Sequence, residues 1–156
     1  MIGDIYSDKI LGYAARIDKI GRLNNPDATS TKHARLCGSI VTVDLKIKND
    51  IVTDFAHEVR ACALGQASAS LLANHIIGEK TQNLKVLRET IYNMLTKNGH
   101  PPTAPFEKFS CLQPIKDHKA RHASIMLSFD AVVDCIKQIE EKTNAQTELS
   151  KKQKTN

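Results

Sequence analysis

From Ile40 to Ile47 apolar and polar side chains alternate with many β-branched residues, which predicts a strand running to about Lys48. Asn49-Asp50 is a two-residue hairpin signal, and Ile51 to Ala61 alternates again as the return strand. Elsewhere the period is helical. Ile5, Ile10, Tyr13, Ala14 and Ile17 form an apolar stripe that predicts a first helix from Ile5 to Ile20, closed by Gly21 and followed by turn residues Leu23 to Ala28. From Thr31 the period changes, and His33 to Leu36 lead into Cys37-Gly38-Ser39. Behind the hairpin, Gln66 to Ile77 predicts a helix whose Ala67, Ser68, Ala69 and Ser70 permit close packing, with Gly78 as its stop. Thr81 to Lys97 predicts another, with Leu84, Leu87, Ile91, Met94 and Leu95 on its apolar face. His100 to Pro105 is a rigid connector, Phe106 to Leu112 a short amphipathic turn or helix, and Pro114 a breaker. A last helix from about Ser124 to Glu141 turns Met126, Leu127, Ala131, Val132, Cys135, Ile136 and Ile139 to the core. Residues 143–156 are polar and predict a disordered tail, which leaves one domain over residues 1–142.

Composition fits that picture: 156 residues, 41% hydrophobic and 25% charged, are ordinary for one globular domain. No basic segment followed by an apolar run opens the chain, and no apolar run approaches the roughly 20 residues that span a bilayer. The expectation is a cytoplasmic protein without membrane contact. The net charge of +5 suggests nucleic acid, but residues 143–156 contribute +2 of it through Lys151, Lys152 and Lys154 against Glu148. With no Trp and only 3 Tyr and 4 Phe to stack on bases, a nucleic-acid partner is not expected. Gly38, Gly65 and Gly78 fit no phosphate-loop spacing, and no catalytic triad or paired-carboxylate site stands out, so the chain does not read as a conventional enzyme.

Four cysteines, Cys37, Cys62, Cys111 and Cys135, in a chain without a secretion signal read as metal, redox or buried thiols rather than a disulfide framework. Cys62 ends a strand where a helix begins, and the unpaired N–H groups of a first helical turn favour a thiolate. Counted outward from Asn49-Asp50, Cys37 and Cys62 are each twelve positions away, so a simple antiparallel register sets them side by side; a bulge or a break at Gly38 would shift it. Cys135 lies on the apolar stripe of the last helix, and Cys111 reaches the other thiols only if residues 100–114 fold back over them. His33, His57, His75, His100 and His118 show no ligand spacing, whereas Lys116, Lys119 and Arg121 offer a cationic rim or a solvated face.

Three stretches carry a resemblance: Cys37-Gly38-Ser39, Cys62-Ala63-Leu64-Gly65-Gln66-Ala67-Ser68-Ala69-Ser70, and Arg121 to Ala131. Over about residues 4 to 140 the chain resembles the U-type iron-sulfur cluster scaffold proteins, the IscU, NifU N-terminal and SufU-like family, with the insert before the last helix pointing to the SufU-like branch. The resemblance implies an α+β fold, a small three-stranded antiparallel sheet packed by helices on one face. It also implies that Cys37 and Cys62 are the first two cluster ligands. At the third ligand position the family's cysteine is replaced by Ser124, and Ser39 stands where the family has Asp. His122, two residues before Ser124, is a candidate third ligand.

Three functional readings follow. In the first, the protein is a scaffold or carrier that accepts sulfur from a cysteine desulfurase and iron at Cys37 and Cys62, then passes a transient iron-sulfur cluster to accepting proteins. Two thiolates per chain make a homodimer with a bridged cluster one arrangement of it, since a two-iron, two-sulfur cluster takes four cysteines. In the second, Cys37, Cys62 and His122 hold zinc with water or Ser124, and the protein is a sulfur acceptor for the desulfurase. In the third, the fold persists as an interaction module without metal.

Overall fold

The computed structural model describes residues 6–154, so Ile5 and the first residues of the chain lie outside the described part. The alternation after Ser39 becomes two antiparallel strands, β2 (Ser39–Lys48) and β3 (Ile51–Arg60). Asn49 and Asp50 between them both take positive φ, 53° and 62°, the geometry of a two-residue hairpin turn that Asn and Asp tolerate. A bulge between Lys46 and Ile47 shifts the register, so that Ile40 pairs with Arg60.

The third strand, β1 (Ala28–Ala34), pairs with β2 and completes the order β1-β2-β3. Its start overlaps the segment read as turn residues. The sequence ATSTKHA hides a strand because its inward positions, Ala28, Ser30 and Ala34, are small. Small side chains let the last helix approach closely: the Ser30 hydroxyl donates to Asp134 Oδ2 at 2.7 Å.

The helix α1 (Asp8–Ala15) is capped by the Ser7 hydroxyl, which accepts the Ile10 N–H at 3.3 Å. It stops well short of Ile20. Residues 19–21 are drawn instead to the outer edge of β3, where Gly21 N–H donates to His57 C=O at 2.9 Å and His57 N–H to Lys19 C=O at 3.1 Å. That covers an otherwise open strand edge. Next come α2 (Ala63–His75) and α3 (Thr81–Thr96). Glu107–Asp117 is a 3₁₀ segment that runs through Pro114 rather than breaking there. The φ of proline suits a 3₁₀ turn, and the three-residue spacing of the buried Phe109, Leu112 and Ile115 matches its period.

The helix α4 (His122–Lys154) crosses β1 and β2 and also packs on α2 and α3. At 1.5 Å per residue it is about 50 Å long. It continues as an exposed helix through 143–154, where composition predicts a disordered tail; no Gly or Pro interrupts residues 122–154. Lys85 to Glu140 at 2.7 Å and Arg88 to Asp130 at 2.9 Å fasten α3 to α4.

Asp44, in mid-β2, reads as an outward polar residue yet is fully buried. Its carboxylate accepts from Arg22 Nε at 2.7 Å, Arg22 Nη2 at 3.1 Å, Leu23 N–H at 3.0 Å and the Thr29 hydroxyl at 2.6 Å. Burial opposes its charge, but these donors outweigh burial and hold the carboxyl below its usual range. His57 is buried in β3 beside Phe55, with Nε2 donating to Asp18 C=O at 2.8 Å. Burial pushes its pKa down.

Candidate functional site

Three chain segments end at one place. Cys37 lies in the turn joining β1 to β2, whose residues 35–38 are all exposed and whose Gly38 takes φ +71°. Ser39 opens β2 and is 3% exposed. Cys62 is the residue preceding α2, in extended conformation at φ −67°, ψ 171°. Ser124, in the first turn of α4, is 2% exposed. Cys37 Sγ lies 3.0 Å from Ser39 Oγ, Ser39 Oγ 3.5 Å from Ser124 Oγ, and Ser124 Oγ 3.2 Å from Cys62 Sγ. Two hydroxyls thus join two thiols in a continuous polar chain.

The twelve-and-twelve count from the hairpin turn brings the thiols to the same end but misses by one. Continued beyond Ile40 and Arg60, the bulged register would set Gly38 opposite Cys62. Ser39 and Ser124 close the remaining gap. Gly65 makes room for this arrangement: a Cβ there would lie 2.6 Å from Ser124 Oγ and 2.8 Å from Ala61 Cβ. The sequence shows Gly65 three positions beyond Cys62, but nothing in it tells which residue crosses that space.

The Cys37 thiol is held below its ordinary range, first by the Ser39 hydroxyl; burial opposes this, while the Ser39 backbone and the Ser124 hydroxyl assist. The two thiols outside the site, Cys111 and Cys135, differ. Cys135 is buried, donates to Val43 C=O at 3.5 Å, and is pushed up to about 12, mainly by burial and then by Asp134 and Asp44. Cys111 is also raised by burial, with Lys9 opposing. It lines a different cavity of about 1000 Å³, walled by Tyr13, Arg16, Ser70, Asn74 and Lys108, which none of the four site residues enters.

His122 begins α4, but its Nε2 donates to Ile115 C=O at 2.9 Å. Among the described residues no three His, Cys, Asp or Glu side chains converge as a metal cage, so the structure brings Ser124 to the two cysteines and not His122. Tetrahedral zinc takes four donors and favours thiolate and imidazole, and hard hydroxyls are weak substitutes. The described residues of one chain do not bring that set together. Lys116 of the expected rim donates to Asn98 Oδ1 at 3.2 Å.

Among the described residues no helix is long and apolar enough to cross a membrane. The chain matches the family described as NifU-like N terminal domain over residues 5–146. Among curated proteins it is similar to the iron-sulfur cluster assembly scaffold protein IscU of Thermotoga maritima, 29% identical over 86% of this chain and 94% of that protein. Among solved structures it resembles a nitrogen-fixing NifU-like protein (N-terminal) from Brucella abortus, with 52% identity, a TM-score of 0.89, and coverage of 90% of this chain and 98% of that one. A putative scaffold protein for the SUF system from Fervidobacterium islandicum shares the fold, with a TM-score of 0.75 at 22% identity over 84% of this chain and 96% of that one. Three converging segments, the three-stranded sheet beneath them and a family match over nearly the whole chain lead to one assignment: this protein belongs to the family of NifU-like N-terminal domains.

Proposed function

We propose that this protein is a cytoplasmic scaffold for iron-sulfur cluster assembly, taking sulfur and iron at Cys37 and Cys62 and handing the cluster to accepting proteins. The observation that carries this reading is the convergence of Cys37 and Cys62, from separate elements, on one pair of hydroxyls, with Cys37 exposed to a partner. The names of the curated relatives support it. Sulfur arrives as the persulfide of a cysteine desulfurase. The Cys37 thiolate attacks the outer sulfur; a Cys37 Sγ–S bond forms, the donor's S–S bond breaks, and the donor leaves as its thiolate. The protein turns over no small molecule of its own; it holds and transfers.

Because one chain contributes two soft donors, a two-iron, two-sulfur cargo takes its four thiolates from two chains. Anaerobic reconstitution with ferrous iron and sulfide, followed by mass in solution and iron and sulfide content, tests this. The expected product is a dimer with one cluster, lost in Cys37→Ser and Cys62→Ser. A monomer holding a whole cluster would overturn the bridged arrangement, and failure to take up either sulfur or cluster would overturn the scaffold reading.

A further inference from the structure

The two serines do more than fill the positions of missing ligands. They place the half-buried Cys62 thiol at the far end of a hydroxyl pair whose near end bonds the exposed Cys37. A sulfur taken up by Cys37 is therefore separated from a second thiol by two hydroxyls, and a proton on that thiol has a path out through Ser124 and Ser39. The remaining cysteines are elsewhere: Cys111 lines the separate cavity and Cys135 is held by Val43 C=O. No third thiol competes at the site.

We infer that this site releases sulfide by itself: Cys62 resolves the persulfide formed on Cys37, closing a Cys37–Cys62 disulfide and expelling the outer sulfur as hydrogen sulfide. This rests on the sulfur-accepting part of the proposed function. In the step, Cys62 Sγ attacks Cys37 Sγ, the new S–S bond forms, and the bond from Cys37 Sγ to the outer sulfur breaks. The electron pair leaves with the outer sulfur, which is reduced from sulfane to sulfide while the two cysteines are oxidised. The Cys62 proton passes through the Ser124 and Ser39 hydroxyls to the departing sulfide, so persulfide and thiol become disulfide and hydrogen sulfide. A dithiol reductant of the thioredoxin class then reopens the bridge by exchange and readies both thiols for cargo.

The geometry favours this division of labour. Cys37 is open to a large donor, whereas Cys62 at the start of α2 is half-buried and reached from within. The movement that closes the bridge falls on residues 35–38, which are exposed and contain a glycine already at positive φ. Ser124 acts as a positioning residue for Cys62 and for its proton.

The test uses the full chain, reduced, desalted without oxygen and treated with inorganic polysulfide as sulfur source, with no added thiol. Sulfide is measured colorimetrically, and Cys37 and Cys62 are followed by peptide mass mapping. The parent is expected to release about one sulfide per chain beyond what the polysulfide itself expels on loading Cys37, and to end with a Cys37–Cys62 bridge. Cys62→Ser should keep one added sulfur on Cys37 and release only the sulfide that loading expels. Ser124→Ala, which keeps both thiols, should load Cys37 as the parent does but release sulfide about tenfold more slowly. A parent that keeps the added sulfur on Cys37, or a Cys62→Ser variant that releases sulfide at the parent's rate, overturns the inference and leaves the scaffold reading standing. A parent in which Cys37 takes up no sulfur at all overturns both.

Discussion

Exchanging glycine for alanine at two helical positions should move stability in opposite directions. Gly12, in α1, has nothing within 4 Å of where a Cβ would stand, and it is exposed. Gly12→Ala therefore collects the full helical preference of alanine over glycine, about 0.8–1 kcal/mol, which in a domain of this size raises Tm by about 2–4 °C. At Gly65, in the first turn of α2, an added Cβ would stand 2.6 Å from Ser124 Oγ, 2.8 Å from Ala61 Cβ and 3.2 Å from Ser124 C=O. Carbon atoms settle at about 3.5–4.0 Å, so the added methyl group overlaps Ala61 by most of an ångström. The Ser124 hydroxyl can rotate away, but only by abandoning Cys62 and Ser39; Ala61 Cβ has no torsion to turn. Overpacking of this kind costs about 1–3 kcal/mol, and the helical gain offsets part of it. The net expectation is a loss of up to about 2 kcal/mol for Gly65→Ala against a gain of up to about 1 kcal/mol for Gly12→Ala. Urea unfolding followed by circular dichroism measures both. If Gly65→Ala stabilises as much as Gly12→Ala, the close approach of α4 to α2 is wrong, and with it the placement of Ser124 against Cys62.

Asp44→Ala strips the half-buried Leu23 N–H and Thr29 hydroxyl of their charged acceptor and should cost about 1–3 kcal/mol in urea unfolding at neutral pH; a loss under about 0.5 kcal/mol, usual for surface sites, would refute this. Because the folded carboxyl is held below its unfolded value of about 3.9, its contribution is present above that pH and fades as pH falls through the folded value. The acid arm of the stability profile should therefore flatten in Asp44→Asn, and an unchanged arm would remove Asp44 as its source. Iodoacetamide at neutral pH should label Cys37 ahead of Cys111 and leave Cys135 untouched until the chain unfolds, as read by peptide mapping. Ser39→Ala should move the pH midpoint of Cys37 labelling upward; a midpoint that stays put would show that the hydroxyl bond is not what lowers it. Removing residues 143–156 should leave Tm within the effect of about 0.5 kcal/mol, because the described residues of that stretch are exposed; a larger drop would mean that the helix end packs.

How much was legible beforehand depended on side-chain size. β2, β3 and α3 announced themselves because large apolar residues recur at the period of each element. β1 did not, since Ala28, Ser30 and Ala34 carry too little apolar surface to mark an inward face. α1 lost its last turns to a pairing of residues 19–21 with β3 that no local pattern encodes. At the site, Cys37 and Cys62 could be brought together by counting, yet the bulge at Lys46 and Ile47 moved the count by one. Ser39 and Ser124, read as missing ligands, turned out to join the thiols, a relation that depends on α4 passing over the start of α2.

The separation of these groups along the chain gives the site a second property. Ser39 and Ser124 are 85 positions apart, and Cys62 and Ser124 are 62. Neither contact survives unless the sheet and α2 have docked on α4, so the unfolded chain keeps only the local Cys37–Ser39 pair. A ligand that needs both thiols together binds the folded form far better, and by mass action it tightens the entire domain. Loading should then raise the melting temperature and slow amide exchange along α2 and α4 together, and unloading should relax them together. The act of handing over a cargo is in this sense a loosening of the carrier.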